Sequence, residues 1–247
     1  MRLKTVATGS SGNCHLLIAD SGETLILDCG VPIKEIKKGL GWNIKKVVGV
    51  LCTHRHLDHS KSAVELYKTG FYAVAPYLIA SRPEKLSYKL KKSRFDISAF
   101  ALKTADGKWT HTNGDGSECP CYGFWIQHPE MGTMIYATDT ELIKWRFKNV
   151  NHILLGVNYE PELLSGDDAK KNHVVRGHMS IDTACEFVKT NASPDLQNVI
   201  MCHLSAENAD PDSFIKKMRR VVPATCNVLV ATPGMELDLK NPGECPF

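Results

Sequence analysis

Thr53-His54-Arg55-His56-Leu57-Asp58-His59-Ser60 is the stretch whose reading decides the fold. It follows Val47-Val48-Gly49-Val50-Leu51, an apolar run of strand length. Three histidines and an aspartate therefore sit in a tight loop at the carboxyl end of a buried strand. Imidazole and carboxylate together suit zinc, manganese or iron. His54 and His56 can reach one ion from one side of the loop, while Asp58 and His59 point toward a second. Two ions about 3.5–4 Å apart can hold a hydroxide between them and aim it at an ester or phosphodiester. The bland alternative, a polar surface loop with clustered histidines, does not account for the strict order of strand and then His-x-His-x-Asp-His.

Other strands lead to further candidates. Thr24-Leu25-Ile26-Leu27 ends at Asp28, which could orient a ligand histidine or simply cap the next turn. Tyr122–His128 and Thr133–Ala137 read as a hairpin, and the second arm runs into Asp139. Asp139 is either a ligand or the N-cap of a helix over Leu142–Phe147. Val199-Ile200-Met201-Cys202 is a buried strand ending at His203, a ligand position or a core histidine. His178 precedes Ser180, a good N-cap for a helix over Ile181–Thr190. A histidine there could bind a phosphate or protonate a leaving oxygen, or could be a surface residue in a turn. The small-residue loop Gly9-Ser10-Ser11-Gly12-Asn13 has free backbone donors that can nest an anion, yet lacks the ending of a Walker motif.

Between these points the pattern predicts helices over Pro32–Leu40, over Lys61–Thr69 capped by Ser60, over Tyr77–Leu90 with a break at Pro83, over Glu162–Asn172, and over Asp212–Val221. It predicts strands over Ile97–Leu102 and Cys226–Ala231, and an edge strand over Met235–Leu239. Asn158 and Glu160 could face the site, and each has an ordinary role in a turn.

Composition narrows the class. With 247 residues, 43% apolar and 23% charged, the chain reads as one globular domain over residues 1–247 with a loose tail at about 241–247. No run approaches the ~20 apolar residues that span a bilayer, and the N-terminus lacks a signal-peptide core. The expectation is a cytoplasmic protein with no membrane partner. Nine cysteines, several in apolar runs, read as buried thiols. Cys119-Pro120-Cys121 is too tight for the usual zinc knuckle. The net charge of +3 is too small to prove a nucleic-acid partner. Two basic segments, Lys85–Arg94 and Lys216–Arg220, are either phosphate contacts or solvated faces.

The metal loop matches the signature of the metallo-β-lactamase fold hydrolases. Thr8-Gly9-Ser10-Ser11-Gly12-Asn13-Cys14 resembles the opening of the YycJ/WalJ-type branch of metal-dependent DNA exonucleases, and Gly177-His178-Met179-Ser180 resembles a second element of that branch. The resemblance implies an α+β fold, a four-layer αββα sandwich with its site along one edge of two sheets. It implies two divalent ions, zinc or manganese. One takes His54, His56, His111 and Asp139; the other takes Asp58, His59, Asp139 and His203, with Asp139 bridging. His111 enters as the histidine of the loop before Tyr122-Gly123-Phe124, with Asp115 or water as the alternative. Asp28 would support the metal loop. Ser10, Ser11, Asn13 and His178 would meet substrate, and Asp58 and His178 would be catalytic, Asp58 by orienting the bridged hydroxide.

The implied function is a phosphodiesterase or nuclease acting on nucleic acid, DNA in preference to RNA. Two other classes remain. A small-molecule metallohydrolase (a lactonase, thioesterase or cyclic-nucleotide phosphodiesterase) would show a closed apolar pocket over the metals, whereas a nuclease would show a basic approach to them. A non-catalytic metal-stabilised binding protein would use one closed four-ligand site. Oligomeric state is not written in the sequence.

Overall fold

The computed structural model describes residues 1–164 and 174–241. Thirteen strands among these residues form two sheets. The first sheet holds β1 (Arg2–Ala7), β2 (Cys14–Ile18), β3 (Thr24–Leu27), β4 (Val47–Leu51), β5 (Ala73–Val74) and β13 (Glu236–Asp238), in the order β13-β1-β2-β3-β4-β5. The second holds β6 (Lys85–Lys89), β7 (Asp96–Ala101), β8 (Tyr122–His128), β9 (Gly132–Ala137), β10 (His152–Gly156), β11 (Asn198–Cys202) and β12 (Asn227–Val230), in the order β12-β11-β10-β9-β8-β7-β6. Helices α1 (Ile33–Gly39), α2 (Leu57–Ser60) and α3 (Ala63–Lys68) accompany the first sheet; α4 (Ile181–Asn191) and α5 (Pro211–Met218) accompany the second.

Period-two alternation assigns each strand residue to a layer. Leu25 and Leu27 of β3 join Tyr136, Leu154 and Ile200 of the second sheet in one cluster, which is the core between the sheets. Ile26 of the same strand points the other way, toward Ile36 of α1 and Leu66 of α3. On the second sheet Ile153 and Leu155 pack outward on Phe187 and Val188 of α4 and Phe214 of α5. The layers are thus helix, sheet, sheet, helix, the expected αββα sandwich.

The parallel pairs β3–β4, β9–β10 and β10–β11 align several carboxyl ends at one edge. Asp28, His54, Asp139 and His203 all lie just beyond such ends. In open sheets of this kind, carboxyl ends are where ligands bind.

Three expectations fail locally. Tyr77–Leu90 is not a helix but a short 3₁₀ turn (Pro76–Leu78) followed by β6. The alternation Lys85-Leu86-Ser87-Tyr88-Lys89 puts Leu86 and Tyr88 on one face and pairs the segment antiparallel with β7. Ser60 does not cap a helix over Lys61–Thr69; it closes α2 by donating to the carbonyls of Arg55 and His56. A break follows, and α3 begins after Ser62, whose hydroxyl is committed to the Val31 carbonyl. Leu142–Phe147 is irregular, because Trp145 donates to the Ala101 carbonyl and Phe147 N–H to the Asn191 side chain. The helix expected over Glu162–Asn172 falls mostly outside the described residues, as does nearly all of the tail. No helix among the described residues is long and apolar enough to cross a membrane. All eight described cysteines are buried free thiols.

Candidate metal centre

Each donor histidine at this edge is aimed by a second hydrogen bond. Asp28 is fully buried and accepts from Thr53 N–H (2.8 Å), the Thr53 hydroxyl (3.0 Å), the Tyr136 hydroxyl (2.6 Å) and His59 Nδ1–H (2.7 Å). With Nδ1–H held by Asp28, His59 turns its Nε2 toward Asp139 Oδ2 at 3.1 Å and Asp58 Oδ2 at 3.3 Å. Such carboxylate–imidazole pairs fix a ligand's tautomer. Asn158 donates to His203 Nδ1 and to its carbonyl, while His203 Nε2 lies 3.4 Å from both Asp58 Oδ2 and Asp139 Oδ1.

The other side of the site shows the same logic. His111 is buried and donates Nδ1–H to the Gly177 carbonyl at 2.9 Å. His56 donates Nε2–H to Asn113 Oδ1 at 3.1 Å. Their remaining nitrogens, both lone pairs, face each other at 3.0 Å. His54 donates Nδ1–H to the Thr53 hydroxyl, and its Nε2 is buried with no hydrogen-bond partner. An unsatisfied buried nitrogen beside two opposed lone pairs is unfavourable unless a cation binds there. The donors fall into two groups able to hold a metal ion: His54, His56 and His111, and Asp58, His59, Asp139 and His203. Asp139 Oδ2 is also 3.6 Å from His54 Nε2 and 3.8 Å from His111 Nε2, so this carboxylate faces both groups.

Electrostatics separates the two groups. Burial pushes His54 well below the usual imidazole range, and the nearby His59 and His111 push it further. Burial also lowers His111, to about 4, against the pull of Asp139. Burial would lower His59 as well, but the Asp139 and Asp28 carboxylates outweigh it and hold that imidazole well above its usual value. His203 is raised in the same way, by Asp139 and the bond to Asp58. Burial alone would raise Asp139, yet His203 and His59 keep its carboxyl well below the usual range. Displacing protons from the second group with a metal would make binding pH-dependent.

Three of the residues here, Asp28, Asp139 and His203, adopt φ values of 55°, 48° and 57°. The left-handed region costs an L residue roughly 1–2 kcal/mol. Such strain at three strand ends that meet at one edge marks a place the surrounding structure over-determines. The loop also needs close approach: a β-carbon on Gly30 would lie 1.7 Å from the Asp58 carbonyl oxygen.

The cleft above these groups has a volume of about 710 Å³. Ser10 and His178 line it, as expected. His178 is half-buried, donates Nδ1–H to the Val174 carbonyl at 3.1 Å, and packs against the rings of His111 and His203. Ser11 is exposed outside the lining. Asn13 is buried; its amide donates to the Gly9 and Asp58 carbonyls and contacts His59 Nε2, so it props the metal loop from beneath. Asp115 is exposed and accepts from Ser117, away from the donors. Glu160 points elsewhere: it accepts from the Ser213 hydroxyl and pairs with Lys217 at 2.9 Å. Sequence reasoning missed Arg55 and Arg176, both of which line the cleft. Arg55 occupies an unspecified position inside the motif already quoted, between His54 and His56, and that place is the one signal that could have found it.

A sequence model of the Metallo-beta-lactamase superfamily matches residues 7–119. Solved structures superpose on nearly the whole chain. Yeast PDE1 does so with a TM-score of 0.65 at 13% identity, covering 96% of this chain and 99% of its own. The metallo-beta-lactamase fold protein YhfI from Bacillus subtilis does so with a TM-score of 0.61 at 16% identity, covering 96% and 98%. The chain has the metallo-β-lactamase fold. Among characterised sequences, the exodeoxyribonuclease YycJ of Bacillus anthracis is 24% identical over 229 residues, 84% of each chain. Within this fold, the metal loop after β4 and the aspartate after β9 come from different sheets and meet at their shared edge.

Proposed function

We propose that this protein is a binuclear metal-dependent phosphodiesterase that acts on nucleic acid, with DNA the first substrate to try. The observation that carries the reading is Asp139, a single carboxylate facing two separate donor groups at the floor of an open cleft with two arginines in its lining. A lone structural ion would be closed by four ligands and would need no cleft. A small apolar substrate would call for a lining of aliphatic and aromatic hydrocarbon side chains, whereas most residues around this cleft carry a polar or charged group and only Leu57 and Val174 are aliphatic. The similarity to an exodeoxyribonuclease supports the same class.

In this reading His54, His56, His111 and Asp139 hold one ion, and Asp58, His59, Asp139 and His203 hold the other. Zinc or manganese suits these donors. When bound, such a pair supplies an activated water and Lewis-acid stabilisation of charge on phosphorus oxygens. The protein's own groups do the rest. Arg55 and Arg176 neutralise non-bridging phosphate oxygens through charge-assisted hydrogen bonds. Asp58, at 24% side-chain exposure the more open of the two donor carboxylates, orients the attacking water as a hydrogen-bond acceptor. As the bond from phosphorus to the leaving oxygen breaks, His178 holds the phosphate or gives that oxygen a proton. Its Nδ1–H is committed to the Val174 carbonyl, so the transferable proton is the one on Nε2. Asp28, Asn13 and Asn158 touch no substrate and keep His59 and His203 aligned.

The test is incubation of the protein with linear 5′-phosphorylated duplex DNA and manganese, beside Asp139→Ala. The reading expects degradation by the wild type alone. Intact DNA in both samples, with metal bound to the wild type, would move the assignment to a small-molecule hydrolase on the same site.

A further inference from the structure

At the opposite end of the sandwich, the structure gathers Lys45 and Lys46 from the start of β4, Lys89 from the end of β6, and Lys91 and Lys92 from the following turn around one cavity of about 830 Å³. Segments more than forty residues apart in sequence supply them. All five lysines are exposed. Among the described residues, no carboxylate pairs with Lys45, Lys89, Lys91 or Lys92; Lys46 donates to the Ser21 carbonyl. Glu23, the one acid in the lining, accepts from the Ser93 hydroxyl and Arg94 N–H. Five lysines against one glutamate give this cavity a charge of +4, more than the +3 of the entire chain. Charge is therefore segregated here and not spread over the surface. The Lys216–Arg220 segment differs, since Lys217 is surrounded by Glu160, Glu162 and Asp182.

One stretch of chain links this cavity to the metal cleft. Leu57 lines the cleft, Gly70, Phe71 and Tyr72 line the lysine cavity, and α2 and α3 lie between. The exposed side chains on the way include Lys61, Tyr67 and Lys68, with Glu65 the intervening acid, and Tyr72 offers an exposed ring at the cavity itself. From Val48 to His54 the backbone covers roughly 20 Å at strand spacing, the length of about six base pairs.

We infer that the lysine cavity is a remote backbone-binding site for the nucleic-acid strand whose end is processed in the metal cleft. This rests on the phosphodiesterase reading and adds a prediction of its own: affinity must grow with substrate length until both sites are spanned. Lysines act as unshared point charges on phosphates, so the contribution is sequence-independent and salt-sensitive.

The experiment compares wild type with the combined Lys45→Ser, Lys89→Ser, Lys91→Ser and Lys92→Ser variant, and with the same four positions changed to arginine. Two substrates are used: a 30-base-pair linear duplex, and bis(4-nitrophenyl) phosphate, which reaches only the metal cleft. We expect the serine variant to raise KM for the duplex about 10-fold or more at moderate salt. The slope of log affinity against log salt should become shallower by up to about 3.6, at ~0.9 per lost phosphate contact. kcat and hydrolysis of the small diester should not change, and the arginine variant should match wild type. An unchanged KM and salt slope in the serine variant would overturn the inference and leave the phosphodiesterase reading intact. A wild type that cleaves only the small diester would overturn the inference together with the nucleic-acid part of the proposed function, and would leave a small-diester phosphodiesterase. A wild type that cleaves neither would overturn the phosphodiesterase reading itself.

Discussion

The two ends of the sandwich handle charge in opposite ways. At the metal edge every donor residue is buried or half-buried, and each histidine donor is aimed by a named partner: Thr53 behind His54, Asn113 behind His56, Asp28 behind His59, Gly177 behind His111, Asn158 behind His203. At the lysine end the charged groups are exposed and, apart from Lys46, have no described partner. On the proposed function, the difference follows from what each end would have to do. Coordination needs lone pairs fixed within fractions of an ångström, which would account for the strained left-handed residues there. Attraction of a polyanion would need only charge density, which exposed lysines supply. Substitutions at the first end should therefore act in large, geometry-dependent steps, and at the second in small, additive ones.

The largest effect belongs to Asp139. Asp139→Asn keeps the shape and the tolerance for a left-handed backbone but removes the charge shared between the two donor groups. We expect hydrolysis to fall by at least about 10³-fold, with the fold intact by circular dichroism. A variant retaining a tenth of wild-type activity would mean that one donor group suffices.

Asp28→Asn comes next. It leaves an acceptor for Thr53 but no carboxylate for both the His59 ring and the Tyr136 hydroxyl. Loss of such a partner costs typically 10–100-fold in metal affinity. Competition with a chromogenic chelator measures this, and an unchanged affinity would show that Asn13 and packing alone align His59. The lysine variant described above sits below both, at about tenfold in KM.

A last effect, on stability and not on activity, concerns a histidine at neither site. His152 is fully buried; Nε2–H donates to the Met131 carbonyl, and Nδ1 accepts from Asn198, whose own oxygen accepts from Asn227. Only the neutral ring fits this chain, and burial accordingly lowers its pKa to about 4. The unfolded chain takes up this proton near pH 6.5 and the folded one does not until about 4, so stability is lost as pH falls through that window. Between pH 7.5 and 5 the loss is about 2 kcal/mol from this residue. Urea unfolding of wild type and His152→Asn at both pH values checks it: the variant should show a smaller pH dependence, whatever its stability at neutral pH.

The metal edge was legible in the sequence because its chemistry is local. His54, His56, Asp58 and His59 lie within six residues after one strand, and Asp139 and His203 each end an apolar run. The layers were expected only through the resemblance of the motifs to a known fold; the split of Leu25 and Leu27 from Ile26 between two cores emerges from the structure. What was hidden depends on convergence. Arg55 and Arg176 carry no local sign of facing a common cleft. The lysine cavity was hidden by the reading of Tyr77–Leu90 as a helix, on which Lys85 and Lys89 share a face at i, i+4. As strand β6 the segment instead delivers Lys89 and its turn beside Lys45 and Lys46. The two basic segments looked equivalent in sequence, and only tertiary partners separate them: acids surround Lys217 and leave Lys89, Lys91 and Lys92 unpaired.

The central claim is that two donor groups share Asp139 and hold two ions. Metal content after equilibrium dialysis against zinc or manganese, measured by mass spectrometry on the purified protein, tests it most directly. The account predicts two ions per chain in the wild type and one in His54→Ala/His56→Ala/His111→Ala, which removes one group and spares the other. A wild type saturating at one ion, or a triple variant that still binds two, would contradict it.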